Sequence, residues 1–92
     1  MADRVTVKVT IKNRLGLHAR AAAKLVHLAA RFESEILVVR NGDAIDAKSI
    51  LGLLQLGAAQ GTMIVVRCDG VDEDEAMVAV AELIDGRFGE GE

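Results

Sequence analysis

The chain has 92 residues, 51% of them hydrophobic, and a formal net charge of −3. That length makes a single domain, residues 1–92, apolar enough to build a packed core, while the negative balance disfavours nucleic acid, whose phosphates need clustered cations. One cysteine excludes an internal disulfide and suits a reducing cytoplasm, and no apolar run approaches the roughly 20 residues of a membrane span.

With no Pro, Trp or Tyr and only two Phe, the core must be aliphatic. Residues 1–15 alternate charged and apolar, which no signal peptide does. Within them residues 4–12 (RVTVKVTIK) have the period of a half-buried strand, with Val5, Val7, Val9 and Ile11 on one face. A loop follows to Leu17. Residues 19 to about 31 are Ala-rich and predict a helix that buries Ala22, Leu25, Val26, Ala29 and Phe32. Residues 35–40 are apolar and β-branched, and Asn41-Gly42 is a strong hairpin signal that returns residues 43–46 as a short, polar edge strand.

A short helix is expected over residues 50–56. Ser49 reads as its N-cap, Gly57 as its C′ residue, and Gly52 weakens it from within. Residues 62–68 predict a fourth strand with Ile64, Val66 and Cys68 on the buried face. Asp72 and Glu75 resemble a capping box for a last helix running to about residue 85 and burying Ala76, Val80, Leu83 and Ile84. Phe88 is placed to fold back, and the tail from about residue 87 is expected to be loose. The order βαββαβα contains two interleaved split βαβ units. It predicts an α+β open-faced sandwich, a four-stranded antiparallel sheet covered on one face by three helices.

The chemistry gathers at Gly16-Leu17-His18-Ala19-Arg20, where an extended segment turns helical. A helix start presents unpaired N–H groups and the positive end of the macrodipole, which together favour an anion. His18 is a nucleophile near neutral pH, Arg20 is a permanent cation matched to phosphate oxygens, and the helix start at Ala19, Arg20 and Ala21 adds donors. Positioning and charge stabilisation of this kind do most of the work in phosphoryl transfer. Taken alone, a histidine at a helix start is more often a solvated cap residue. No second acid or base, phosphate-binding glycine loop or metal constellation accompanies it, and His18 and His27 fall on opposite helix faces. The pattern is that of a carrier with no cofactor and no metal, not a stand-alone enzyme.

The stretch Asn13-Arg14-Leu15-Gly16-Leu17-His18-Ala19-Arg20-Ala21-Ala22 closely resembles the active-site signature of the HPr family, the histidine-containing phosphocarriers of the bacterial phosphoenolpyruvate-dependent phosphotransferase system. Lys48-Ser49-Ile50-Leu51-Gly52-Leu53-Leu54-Gln55-Leu56-Gly57 resembles that family's regulatory serine segment. Asn41-Gly42, Gln60-Gly61-Thr62 and Gly70-Val71-Asp72-Glu73 fall in register, so the resemblance covers nearly the whole chain.

Composition makes a cytoplasmic chain, on no membrane and without nucleic acid, the expectation, with a monomer as the simplest state; the resemblance implies a phosphocarrier. His18 is phosphorylated on Nδ1 by phospho-enzyme I and passes the group to a IIA-type acceptor, for sugar uptake or nitrogen-type regulation, while Arg20 neutralises the phosphoryl group. Ser49 is the position that HPr kinase/phosphorylase modifies, and a phosphate there would place about two negative charges beside the docking surface. Leu17, Ile50, Leu51 and Leu54 are the implied docking residues. The chain departs from the family at Ala21, where proline is usual; the change costs roughly 0.4–1 kcal/mol through the unfolded state and restores an N–H at the helix start. His27, Ala30 and Gly52 stand where sugar-type members can carry lysines, which favours a nitrogen-type role. The competing reading is a small regulatory ligand- or protein-binding domain on a ferredoxin-like fold, without phosphotransfer. An RNA-binding sheet needs strand aromatics, and a metal-chaperone domain needs a Cys-x-x-Cys loop; the sequence has neither.

Overall fold

The computed structural model describes residues 4–92, the side chain of Arg4 excepted. Strand β1 (Arg4–Thr10) leads into helix α1 (Ala19–Ala29), strands β2 (Glu35–Arg40) and β3 (Asp43–Asp46), helix α2 (Ile50–Leu56), strand β4 (Met63–Asp69), helix α3 (Glu73–Asp85) and a 3-10 turn at Arg87–Gly89. The strands stand in the order β1-β4-β2-β3 and every pair is antiparallel. This is the predicted βαββαβα sandwich. Among the described residues no helix is long and apolar enough to cross a membrane.

Alternation places the core. Ile64, Val66 and Cys68 of β4 pair across with Val9, Val7 and Val5 of β1, and Ile36 and Val38 of β2 continue the same face. Ala21, Ala22, Leu25 and Ala29 of α1, Leu53 of α2, and Ala76, Met77, Val80 and Ile84 of α3 complete one aliphatic core. Cys68 lies within it. Burial first, then the charges of Glu73 and Asp72, push its thiol up to about 11, so it is a core residue rather than a nucleophile.

Several boundaries differ from the pattern in the sequence. Ile11 and Lys12 leave the β1 ladder, although Ile11 stays buried and still bonds Thr62 O (2.9 Å) and Gly61 N (2.8 Å). Helix α1 closes at Ala29 rather than near 31, because Arg31 N and Phe32 N tighten onto Leu28 O and Ala29 O. Val26 and Phe32 are only partly buried at its flank. The hairpin between β2 and β3 carries positive φ at both Asn41 (51°) and Gly42 (85°), as a two-residue primed turn requires.

The capping box expected at α3 is absent: Asp72 makes no side-chain bond to its own helix. Its carboxylate reaches across to Glu33 N (2.9 Å), Ser34 N (2.9 Å) and Ser34 Oγ (2.5 Å), clamping the turn between α1 and β2. The Ser34 hydroxyl and then the Glu33 amide hold that carboxyl below the usual aspartate range. A carboxyl depressed by folding stabilises fully above its unfolded value and loses that stabilisation as pH falls through the lower folded one. Thermal midpoints measured from neutrality down through about pH 4 and below should therefore fall less steeply with acid in Asp72→Asn than in the unsubstituted chain. Parallel curves would show that the clamp carries no acid dependence.

The tail is not loose. Phe88 is 0% exposed and joins the core, and Lys24 Nζ donates to Phe88 O at 2.6 Å. Farther on, Arg14 N donates to Glu92 O at 2.9 Å. The polar Gly-Glu-Gly-Glu composition hid this, because one buried aromatic anchors the whole segment.

Candidate functional site

His18 is the N-cap of α1, in extended backbone conformation. The residues before it form a tight loop, in which Gly16 sits at φ +67° and a Cβ there would lie 2.5 Å from Ala58 O and 2.9 Å from Ala59 Cα. Only glycine fits this position. Leu17 N then donates to Ala58 O at 2.9 Å, so the loop is stitched to the segment joining α2 and β4. The first intrahelical bond runs from Ala22 N to His18 O (2.8 Å), which leaves the N–H groups of Ala19, Arg20 and Ala21 without helical acceptors. The methyl of Ala21 is buried, and its amide is one of the three left over.

The imidazole is 26% exposed, and its Nε2 meets Glu90 Oε2. Glu90 is itself only 15% exposed. Its other oxygen accepts from Asn13 Nδ2 at 2.9 Å, and the same nitrogen donates to Gly16 O at 2.6 Å. Asn13 is fully buried. The bonds from His18 and then from Asn13 hold the Glu90 carboxyl below the usual range. An ionised carboxylate only accepts, so Nε2 is the protonated nitrogen and Nδ1 of a neutral ring keeps its lone pair.

Arg20 lies one residue into the helix and is exposed, and it forms none of the ion pairs found among the described residues. A pocket lined by Arg14, Leu15, Arg20, Glu90, Gly91 and Glu92 brings two arginines to the same concavity as the partner of His18. The loop, the helix start and the tail thus bring a nucleophilic nitrogen, free amides and cations to one place, an arrangement suited to holding a phosphoryl group.

The second segment lies nearby, since α1 and α2 pack on each other. Ser49 is the N-cap of α2 and accepts from Gly52 N at 3.2 Å, and Gly57 ends the helix in the left-handed region. Gly52 brings α2 against β3, where a Cβ would lie 2.8 Å from Ile45 Cγ2. Leu53 is buried, while Ile50, Leu54 and above all Leu51, at 71%, are exposed. Leu17 does not belong with them. Read as a docking residue, it is 4% exposed and part of the core, because the loop turns its side chain inward as its amide reaches Ala58.

Three residues were missed by the pattern in the sequence: Glu90, Asn13 and Leu15, the last an exposed leucine in the pocket rim. Asn13 stood inside the motif, but only burial reveals what it does. Glu90 carried no local signal beyond its distance of two residues from Phe88.

Comparison with known proteins agrees with this geometry. Residues 5–86 match the family model described as PTS HPr component phosphorylation site. The phosphocarrier protein HPr of Cupriavidus necator is 54% identical over 83 residues, 90% of this chain and 93% of the relative. The phosphocarrier protein NPr of Shewanella violacea is 46% identical, covering 90% of this chain and 91% of that one. The crystal structure of HPr-C-His from Thermoanaerobacter tengcongensis superposes with a TM-score of 0.92 at 42% identity, covering 96% of this chain and 99% of that one.

Proposed function

Since the chain belongs to the HPr family, the phosphocarrier proteins of the phosphotransferase system, we propose that His18 is the residue that carries the phosphoryl group, on Nδ1. The observation that supports this most directly is the contact of Nε2 with Glu90, which leaves Nδ1 as the nitrogen with a free lone pair. In the step itself Nδ1 forms the bond to phosphorus as the donor's bond breaks, and the donor keeps the electron pair. Arg20 neutralises the arriving charge, and the amides of Ala19, Arg20 and Ala21 stand ready as further donors.

The donor is phospho-enzyme I and the acceptor a IIA-type protein. Ile50, Leu51 and Leu54 form the apolar patch on which both dock; their exposure beside α1 supports that reading. With His27, Ala30 and Gly52 in place of lysines, the surface suits a nitrogen-type acceptor. Ser49 is a regulatory phosphorylation site for an HPr kinase/phosphorylase. As N-cap its hydroxyl already faces a helix start, so a phosphate there needs little refolding.

Incubation with phosphoenolpyruvate and enzyme I tests the carrier. The chain should gain acid-labile phosphate, and His18→Ala should gain none. An unlabelled wild type would favour the regulatory protein-binding domain instead. Run with ATP and the serine kinase, the same assay should label the wild type and not Ser49→Ala; label on Ser49→Ala would remove Ser49 from the proposal.

A further inference from the structure

We propose that Glu90 is the positioning residue of this site: it accepts the hydrogen bond of His18 Nε2–H, selects one tautomer of the ring and holds the Nδ1 lone pair toward the incoming phosphoryl group. The inference deepens the carrier reading and rests on it.

A neutral imidazole can carry its proton on either nitrogen, and only the tautomer protonated at Nε2 can attack through Nδ1. His18 makes no cap bond that would choose between them. The acceptor is Glu90, whose two oxygens are each used: one on Nε2, the other on the buried Asn13 amide. Asn13 in turn is anchored to Gly16 O, inside the loop that delivers His18. The carboxylate is therefore oriented from the same loop as the ring it orients. The backbone on either side of it is fixed as well, through Lys24 on Phe88 O and Arg14 N on Glu92 O. This is the arrangement by which an outer carboxylate sets the tautomer of a working histidine.

The same contact accommodates the charge that the step creates. When Nδ1 bonds to phosphorus, the Nε2 proton remains and the ring becomes cationic. Glu90 faces that proton, on the nitrogen remote from the phosphoryl group, so the positive charge is matched without a second anion beside the phosphate. On return transfer the N–P bond breaks, the electron pair goes back to Nδ1, and the ring is again neutral with its proton still on Nε2. No proton has to move in either direction.

Ring-nitrogen NMR of ¹⁵N-labelled protein, paired with the enzyme I transfer assay, tests this. Wild type with a neutral ring should show Nε2 protonated and Nδ1 bare, and only Nδ1-phosphohistidine after labelling. Glu90→Ala should give a mixture of tautomers and transfer slower by roughly 10–100-fold, the loss typical when the outer partner of a working histidine is removed. Glu90→Gln, which keeps an acceptor oxygen without the charge, should restore most of the Nε2–H tautomer. A Glu90→Ala protein with wild-type ring signals overturns the proposal, whether its transfer is fast or slow. An unlabelled wild type would instead overturn the carrier reading, so the two failures are distinguishable.

Discussion

Gly16→Ala will destabilise the chain by roughly 2–5 kcal/mol and displace His18. The left-handed conformation costs an L-residue about 1–2 kcal/mol, and overpacking a fitted site adds about 1–3 kcal/mol. Here the added methyl would stand 2.5 Å from Ala58 O and 2.9 Å from Ala59 Cα. Both contacts are to backbone, which cannot rotate aside as a side chain can. To make room, the loop must pull away from the segment after α2, and the bond from Leu17 N to Ala58 O is the first to stretch. Urea unfolding reads the stability loss, and the enzyme I assay, run where the variant is still folded, reads the displacement. An unchanged unfolding midpoint would mean that the loop is free to shift and that Gly16 sets nothing.

Phe88→Ala is expected to cost roughly 3–5 kcal/mol, the usual range for emptying a buried aromatic site. It should also release Glu90. Arg87 and Phe88 both hold positive φ, 57° and 54°, a conformation neither residue adopts without compensation. Burial of the Phe88 ring supplies it. Without the ring the segment relaxes, and the carboxylate two residues on leaves His18. Phe88→Ala should then show the ring-nitrogen signals of Glu90→Ala together with a large drop in the denaturation midpoint, whereas Glu90→Ala should keep a nearly native midpoint. Wild-type imidazole signals in a folded but destabilised Phe88→Ala would show that Glu90 is seated independently of the ring.

The sheet was legible because its residues obey a period. Val5 and Val9 pack against the core opposite Cys68 and Ile64 in only one register, and Asn41-Gly42 leaves one geometry for the hairpin. The placement of His18 and Arg20 at the start of α1 was legible because Gly16 ends the extended segment and an Ala-rich run follows it. What could not be read were contacts between residues far apart in the chain whose own neighbourhoods are ordinary. Asp72 looks like the cap of its own helix, but the turn at Ser34 comes close enough to capture its carboxylate. Glu90 looks solvated between two glycines, and only the burial of Phe88 brings it to the imidazole. Leu17 failed for the opposite reason. An apolar residue beside a motif can face either way, and the turn at Gly16 decides.

The order of the strands also imposes an order of assembly. Strand β1 touches no strand except β4, the last to be reached along the chain. The β2–β3 hairpin and the flanking helices can form from neighbouring residues, but β1 must wait until a long loop closes, the slow kind of step in folding. His18 is carried by the connection out of β1, and its carboxylate partner lies beyond β4. A half-folded chain therefore has no oriented imidazole to offer. The contact of His18 with Glu90 waits on the same loop closure that brings β1 to β4.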